Sequence, residues 1–305
     1  MATNDLAAEA ATAAPEADER ALTEAIRVAV PERSIRHVLR AVSIVWRREL
    51  IRFRTDRLRA VTSLVQPVLF LFVLGTGLSQ LASRGLPGGV DFKTFIYPGV
   101  LAMSVLFTAI FSAASIVWDR EFGFLREMLV APVRRWAIVV GKCLGGATVA
   151  TFQSIIFLAL AGFAHVPYNP VLLLTLLGEL LLLAFTLTAF GVMMAARVKK
   201  LQAFMAITQM VVLPLFFLSG ALYPLTGLPG WLTVLTRLDP LTYIVDPMRQ
   251  AVFSHLSVTP AAAAALSPGV TWFGWVVPLG LSVAIVALMG AAMLAIAIAE
   301  FRKTE

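Results

Sequence analysis

The chain is expected to fold as an all-α integral membrane protein with six transmembrane helices. Three observations predict this. The chain is 59% hydrophobic and only 14% charged, whereas a soluble globular domain carries roughly 25% charged residues. Its mean hydropathy is +0.85. Six apolar stretches reach the ~20 residues a helix needs to cross a hydrocarbon core, and as helices they satisfy their own backbone groups. The runs are too long, and alternate too little, for a β-barrel. At 305 residues the length suits one helical bundle.

The elements follow in order. Residues 1–33 are rich in Ala, Glu and Asp and lack the apolar region of a signal peptide. They are expected to form a flexible cytoplasmic tail. Residues 34–59 carry Leu39, Val42, Trp46, Leu50 and Phe53 at steps of three or four, with Arg40, Arg47, Arg48, Arg52 and Arg54 on much of the remaining surface. Such a basic amphipathic helix favours the membrane interface plane, where each arginine near anionic headgroups contributes about 1 kcal/mol. It anchors the first span, with or without an added contact to a cytosolic partner. The transmembrane domain, 60–300, holds spans at about 61–81, 95–117, 138–163, 171–195, 204–222 and 272–299. Pro214 is expected to bend the fifth.

The segment 223–271 between the last two spans is too rich in Pro, Gly and polar residues for another crossing. Short external helices, interfacial or re-entrant, are expected at 231–238 and 260–266. Of the 25 Lys and Arg residues, 21 fall on one side of this topology; only Arg84, Lys93, Arg237 and Arg249 fall on the other. The positive-inside rule makes the richer side cytoplasmic, with both termini there. The formal charge of +7 is therefore topological, and no nucleic-acid partner is implied.

Between the second and third spans lies a polar block, Asp119-Arg120-Glu121-Phe122-Gly123-Phe124-Leu125-Arg126-Glu127, followed by Met128-Leu129-Val130-Ala131-Pro132. Asp119 suits a helix N-cap. Phe122, Leu125, Met128 and Leu129 then share a face, and Pro132 stops the run. A cytoplasmic amphipathic helix of about three turns is expected within 118–134, far more than a simple connection needs. An interface-packed connector is the plainer alternative.

Catalytic and cofactor motifs are lacking. The single cysteine, Cys143, permits no internal disulfide or cysteine-based metal site, and His37, His165 and His255 are scattered. The sequence has no G-x-x-x-x-G-K-[ST], H-E-x-x-H or G-x-S-x-G. Gly141-Lys142-Cys143 lacks the upstream glycine and the hydroxyl residue of a phosphate-binding loop. No catalytic residue, cofactor or metal is assigned to this chain.

With these pieces in order, the sequence resembles the membrane subunit of type-2 ABC transporters, the group of the daunorubicin-resistance and nodulation-factor export permeases. The resemblance rests on Tyr97-Pro98-Gly99, on 119–127 with Ala131-Pro132, on Phe217-Leu218-Ser219-Gly220 with Tyr223-Pro224, and on Leu238-Asp239-Pro240-Leu241-Thr242-Tyr243, across about residues 40–300. It implies that 118–134 holds a coupling helix, with Arg120, Glu121, Phe122, Gly123, Phe124, Leu125, Arg126 and Glu127 meeting an ATPase subunit. It also implies two ATPase subunits that bind ATP and Mg, a second copy of the permease, contact with membrane lipids, and an amphipathic substrate. A substrate path is expected to draw on Met103, Phe107 and Phe111 of the second span and Met210, Phe216 and Phe217 of the fifth, since aromatics and Met suit a broad ligand. The same residues suit ordinary packing. Gln153, Glu179 and Gln209 are read as buried polar groups, bonding across helices or touching cargo. The competing functions are a membrane assembly or signalling subunit remodelled by an ATPase, and a secondary transporter, although no internal repeat supports the latter.

Overall fold

The computed structural model describes residues 35–79, 86–124, 134–225, 227–272 and 274–303. The expected tail at 1–33 lies outside these. Among the described residues, six helices are long and apolar enough to cross a membrane.

Helix α1 (Ile35–Thr55) leads into the first span, α2 (Arg57–Leu69), which contains Pro67 and runs on through a π turn, Phe70–Leu74, to Gly77. The second span is α3 (Phe92–Ser112), prolonged by α4 (Ala114–Glu121). Asp91 caps its start by accepting from the Lys93 N–H. The third span is α5 (Arg135–Ala159), ended by a 3₁₀ turn at Ala161–Ala164 and by His165 at φ 57°. The fourth is α6 (Pro170–Arg197), with Asn169 capping and Pro at its first position. The fifth is α7 (Leu201–Leu218) and the sixth is α11 (Leu279–Lys303). Between them lie α8 (Gly230–Leu238), α9 (Thr242–Ser254), α10 (Pro260–Leu266) and a two-stranded hairpin, β1 (Thr271–Trp272) with β2 (Trp275–Val276).

α3 is the buried axis of the bundle, surrounded by α2, α5, α6, α7 and α9, whereas α2, α7 and α11 leave most of their surface uncovered within one chain. Small residues set the close crossings, as expected where lipid supplies no hydrophobic drive between helices. A Cβ at Gly191 would come within 2.9 Å of the Ile110 carbonyl, one at Gly146 would meet Ser112 and Thr188, and one at Gly290 would meet Thr186. Thr186 also donates to the Val286 carbonyl at 3.2 Å.

Several expectations change. The sixth span starts at Leu279 rather than near 272, because Gly274 (φ 86°) turns a hairpin and Pro278 precedes the helix. The third ends at Ala159 rather than 163. The second extends to Glu121, so Asp119 lies inside a helix and caps nothing. The packed face of α1 is Ala41, Val45 and Glu49; Leu39 is exposed, and Val42 and Trp46 only flank the contact. Helices do form at 230–238 and 260–266, and α9 adds a third that is buried almost throughout.

Within α9, Arg249 is fully buried. Its Nε donates to the Phe95 carbonyl at 3.3 Å, its Nη2 donates to the Gly220 and Ala221 carbonyls at 2.8 and 3.3 Å, and its guanidinium sits 4.1 Å from the Phe95 ring. It thus ties the start of α3 to the chain leaving α7. Gly99 lets these segments touch: a Cβ there would fall 2.5 Å from that of Ala221.

Candidate functional site: a charged joint and the cavity beside it

The end of the bundle where α4 stops is its basic end, since Arg135 donates there to the Arg302 carbonyl at 3.0 Å and Arg197 pairs with Glu300 at 3.0 Å. Here α1 lies against α5 over two glycines. A Cβ at Gly141 would fall 2.8 Å from that of Val45, and one at Gly145 would fall 2.6 Å from that of Glu49. The Trp46 indole N–H, donating to Thr148 Oγ1 at 3.0 Å, fixes the rotation of α1.

This approach carries Glu49 onto Lys142. The ammonium, itself buried, donates to Glu49 Oε1 at 2.5 Å, Asp119 Oδ2 at 2.8 Å and Ser115 Oγ at 3.0 Å. Asp119 Oδ1 in turn accepts from Arg48 at 2.7 Å, with Arg52 3.6 Å away. Three helices are thereby joined through an ionic cluster whose centre, Lys142 with Glu49 and Asp119, is buried, the setting in which charges must be paired to persist.

The end of α4 is tied just as closely to the α6–α7 turn. Arg120 donates through Nη1 to the carbonyls of Ala195 (3.0 Å) and Val198 (2.6 Å), and through Nη2 to that of Ala196 (3.0 Å). These are carbonyls a helix C-terminus leaves unpaired, and a cation suits that position. Glu121 Oε2 accepts from the Leu201 N–H at 2.9 Å, at the start of α7. Both side chains, expected to face outward to a partner, are thus engaged within the chain. Phe122 and Phe124 remain 58% and 49% exposed, although the Phe122 ring lies 4.8 Å from that of Trp118. Gly123 between them has φ 84°, a conformation that favours glycine. Leu125, Arg126 and Glu127 lie outside the described residues, as does the rest of the expected amphipathic helix.

Beside the joint is a cavity of about 590 Å³ among α1, α2, α3–α4, α5 and the first turns of α7. Phe53, Phe107, Phe111 and Trp118 form its aromatic wall. Ser63, Gln66, Thr108, Ser112 and Ser115 form its polar wall, with Glu49, Arg52 and Asp56 also lining it. Behind the polar wall Gln153 is buried and bridges two helices, accepting from Thr108 at 2.5 Å and donating to Ser63 at 2.8 Å.

The residues expected along a path therefore separate. Phe107 and Phe111 face the cavity, their rings stacked 6.1 Å apart. Met103 is buried in the core, and Phe216 is buried edge-on to Phe70. Met210 is 79% exposed on the outside of α7, and Phe217 is half-exposed next to Phe216. Glu179 is buried with Oε2 unpartnered, away from the cavity wall. Gln209 is exposed, contrary to expectation: α7 packs Phe204, Thr208, Val212 and Phe216 inward, and Gln209 lies one residue off that stripe. The reading from sequence missed Glu49, Asp119 and Lys142 as a unit. Their available signals were Glu49 in step with Ala41 and Val45, and Lys142 set inside an apolar span.

Comparison with known proteins places this architecture. The family model described as ABC-2 type transporter matches residues 40–253. The chain is 29% identical over 216 residues to the putative transport permease ycf38 of Cyanophora paradoxa, covering 70% of this chain and 74% of that one. It is 29% identical over 250 residues to nodulation protein J of Rhizobium leguminosarum bv. viciae, covering 79% and 92%. It is 30% identical over 179 residues to the probable multidrug ABC transporter permease YbhR of Escherichia coli K12, covering 55% of this chain and 46% of that one. The chain belongs to the ABC-2 type transporter family, as a multi-pass membrane permease of an ABC transporter, a family whose permeases pair with an ABC ATPase subunit.

Proposed function

We propose that two copies of this chain and two ABC ATPase subunits form an exporter of an amphipathic substrate, of the drug, lipid or glycolipid kind. It works in the bacterial cytoplasmic membrane, with both termini in the cytoplasm, and draws cargo from the cytoplasm or inner leaflet. ATP and Mg are held by the ATPase partner. Arg40, Arg47 and Arg54 of α1, exposed outside the joint, meet lipid headgroups on the same side.

The observation that carries this reading is the wall shared by the joint and the cavity. Glu49 and Ser115 belong both to the Lys142 cluster and to the cavity lining. A push on the end of α4 therefore bears directly on the cavity's shape. Phe122 and Phe124 form the outward apolar contact for the ATPase. Arg120 and Glu121 pass its displacement to the α6–α7 turn, and Asp119 passes it to α1 and α5. An ionic cluster held by short bonds suits such transmission, because packed joints shift between discrete arrangements rather than yielding gradually.

The test is copurification with an ABC ATPase subunit from the same organism, followed by hydrolysis and transport in nanodiscs and inverted vesicles across a panel of lipids and amphipathic drugs. A stable complex whose hydrolysis rises with one amphiphile class, and which accumulates that class in inverted vesicles, is the expected result. A complex that hydrolyses ATP without moving any amphiphile would favour an ATP-remodelled assembly role instead.

A further inference from the structure

We propose that the cavity beside the joint takes the neutral, hydroxyl-rich head group of an amphiphile, a glycosyl or polyol head, and discriminates against cationic and anionic heads. This rests on the exporter reading above and names its substrate class.

The charges around the cavity are already committed. Glu49 is bonded to Lys142, and Arg52 stands 3.6 Å from Asp119 with its guanidinium 5.9 Å from the Trp118 ring. Asp56 is likewise engaged within the chain. Among the described residues of the joint and the cavity edge, there are three carboxylates (Glu49, Asp56, Asp119) and three cations (Arg48, Arg52, Lys142). An ammonium head would need a spare carboxylate, and a phosphate or sulfate would need a spare guanidinium or amine. Bringing either into a partly desolvated site without one is costly.

The unused capacity is of the neutral kind. Gln66 lines the cavity half-buried, and its amide has no partner among the described residues, so it both gives and accepts. Ser112 donates to the Ala109 carbonyl at 2.7 Å, which leaves its lone pairs to the cavity. Ser115 accepts from Lys142 at 3.0 Å and keeps its own proton to give. A polyol, which donates and accepts at every hydroxyl, matches this mixture. Facing these groups are Phe107 and Phe111, whose rings are parallel within 10°. Such flat apolar planes suit the C–H face of a pyranose. The volume of about 590 Å³ lies within the range of sites for drug-sized ligands, ~300–1,000 Å³.

The test uses the full chain in lipid nanodiscs without an ATPase. Octyl β-D-glucoside, octyltrimethylammonium and octyl sulfate are titrated below their micellar concentrations. The readout is the change in tryptophan emission that Trp118→Phe abolishes. The glucoside should saturate this signal at a concentration at least about tenfold below the other two. Gln66→Leu and Ser112→Ala should each raise that concentration roughly three- to tenfold, the scale of one neutral hydrogen bond, without lowering the melting temperature. Equal or tighter saturation by either charged probe overturns the inference. So does parental binding by both variants, or the absence of a saturable Trp118-dependent signal. Because no ATPase is present, failed binding with intact coupling sinks only this inference, and glucoside binding with no ATPase complex sinks only the exporter reading.

Discussion

Replacing Lys142 with Met tests the joint most severely. The ammonium is buried and makes three polar contacts, to Glu49 at 2.5 Å, Asp119 at 2.8 Å and Ser115 at 3.0 Å. Met fills similar space but leaves two buried carboxylates behind. Asp119 keeps Arg48 at 2.7 Å; Glu49 keeps no other ion pair among the described residues. Stranding one partner of a buried pair costs roughly 3–5 kcal/mol. For a domain of this size, at ~2–4 °C per kcal/mol, the melting temperature should fall on the order of 10 °C. The cost comes from the stranded charge more than from the lost attraction, so removing Glu49 as well should restore stability. Thermal unfolding of Lys142→Met, Glu49→Met and the double variant in one detergent closes the cycle, with an expected coupling of about 2 kcal/mol or more. A single variant as stable as the parent, or a double variant whose losses simply add, would refute the reasoning.

Other outcomes follow from the same geometry. Arg120→Lys keeps the charge but not the planar fork that reaches three carbonyls; it should cost about 1–3 kcal/mol and reduce amphiphile-stimulated hydrolysis, read by unfolding and ATPase assays. Gly99→Ala, whose Cβ would stand 2.5 Å from that of Ala221, should destabilise by about 1–3 kcal/mol. Gly178→Ala, with nothing within 4 Å of its Cβ, should not, and equal melting of the two would contradict the close crossing. Burial holds the Asp239 carboxyl well above the usual carboxylate range, against the opposing hydrogen bond from the Leu241 N–H. The folded state then binds the proton more tightly than the unfolded state. This group's contribution to stability is fully present below the ordinary carboxylate range and is lost as pH rises through the raised value, by at most about 1.4 kcal/mol per pH unit. Asp239→Asn should flatten the fall of melting temperature with rising pH, and an unchanged slope would count against the assignment.

The spans were legible because apolar length is a local property, and lipid leaves the backbone few alternatives. The joint was not, because its members are far apart in sequence and each has an ordinary local explanation. Asp119 reads as a helix cap, Glu49 as one charge on a basic helix, and Lys142 as a residue beside a glycine. Only the α1–α5 contact over Gly141 and Gly145 makes them one cluster. The inward helix α9 was hidden for a related reason. Asp246, Pro247 and Arg249 lower its hydropathy, yet Asp246 is held by Ser267 and Gln250, and Arg249 by three carbonyls, so the segment is buried. The error at Gln209 was one of phase: a single residue separates it from the inward stripe of Thr208.

The most direct test of the account is where the ATPase touches this chain. A photo-crosslinking phenylalanine analogue placed at Phe122, at Phe124 or at Phe163, the last exposed in the turn between α5 and α6 at the opposite end of the third span, can be probed in the complex with and without nucleotide. The account predicts ATPase adducts from 122 and 124, with yields that change on ATP binding, and none from 163. Adducts from 163, or none from 122 and 124 in a complex that still hydrolyses ATP, would contradict it.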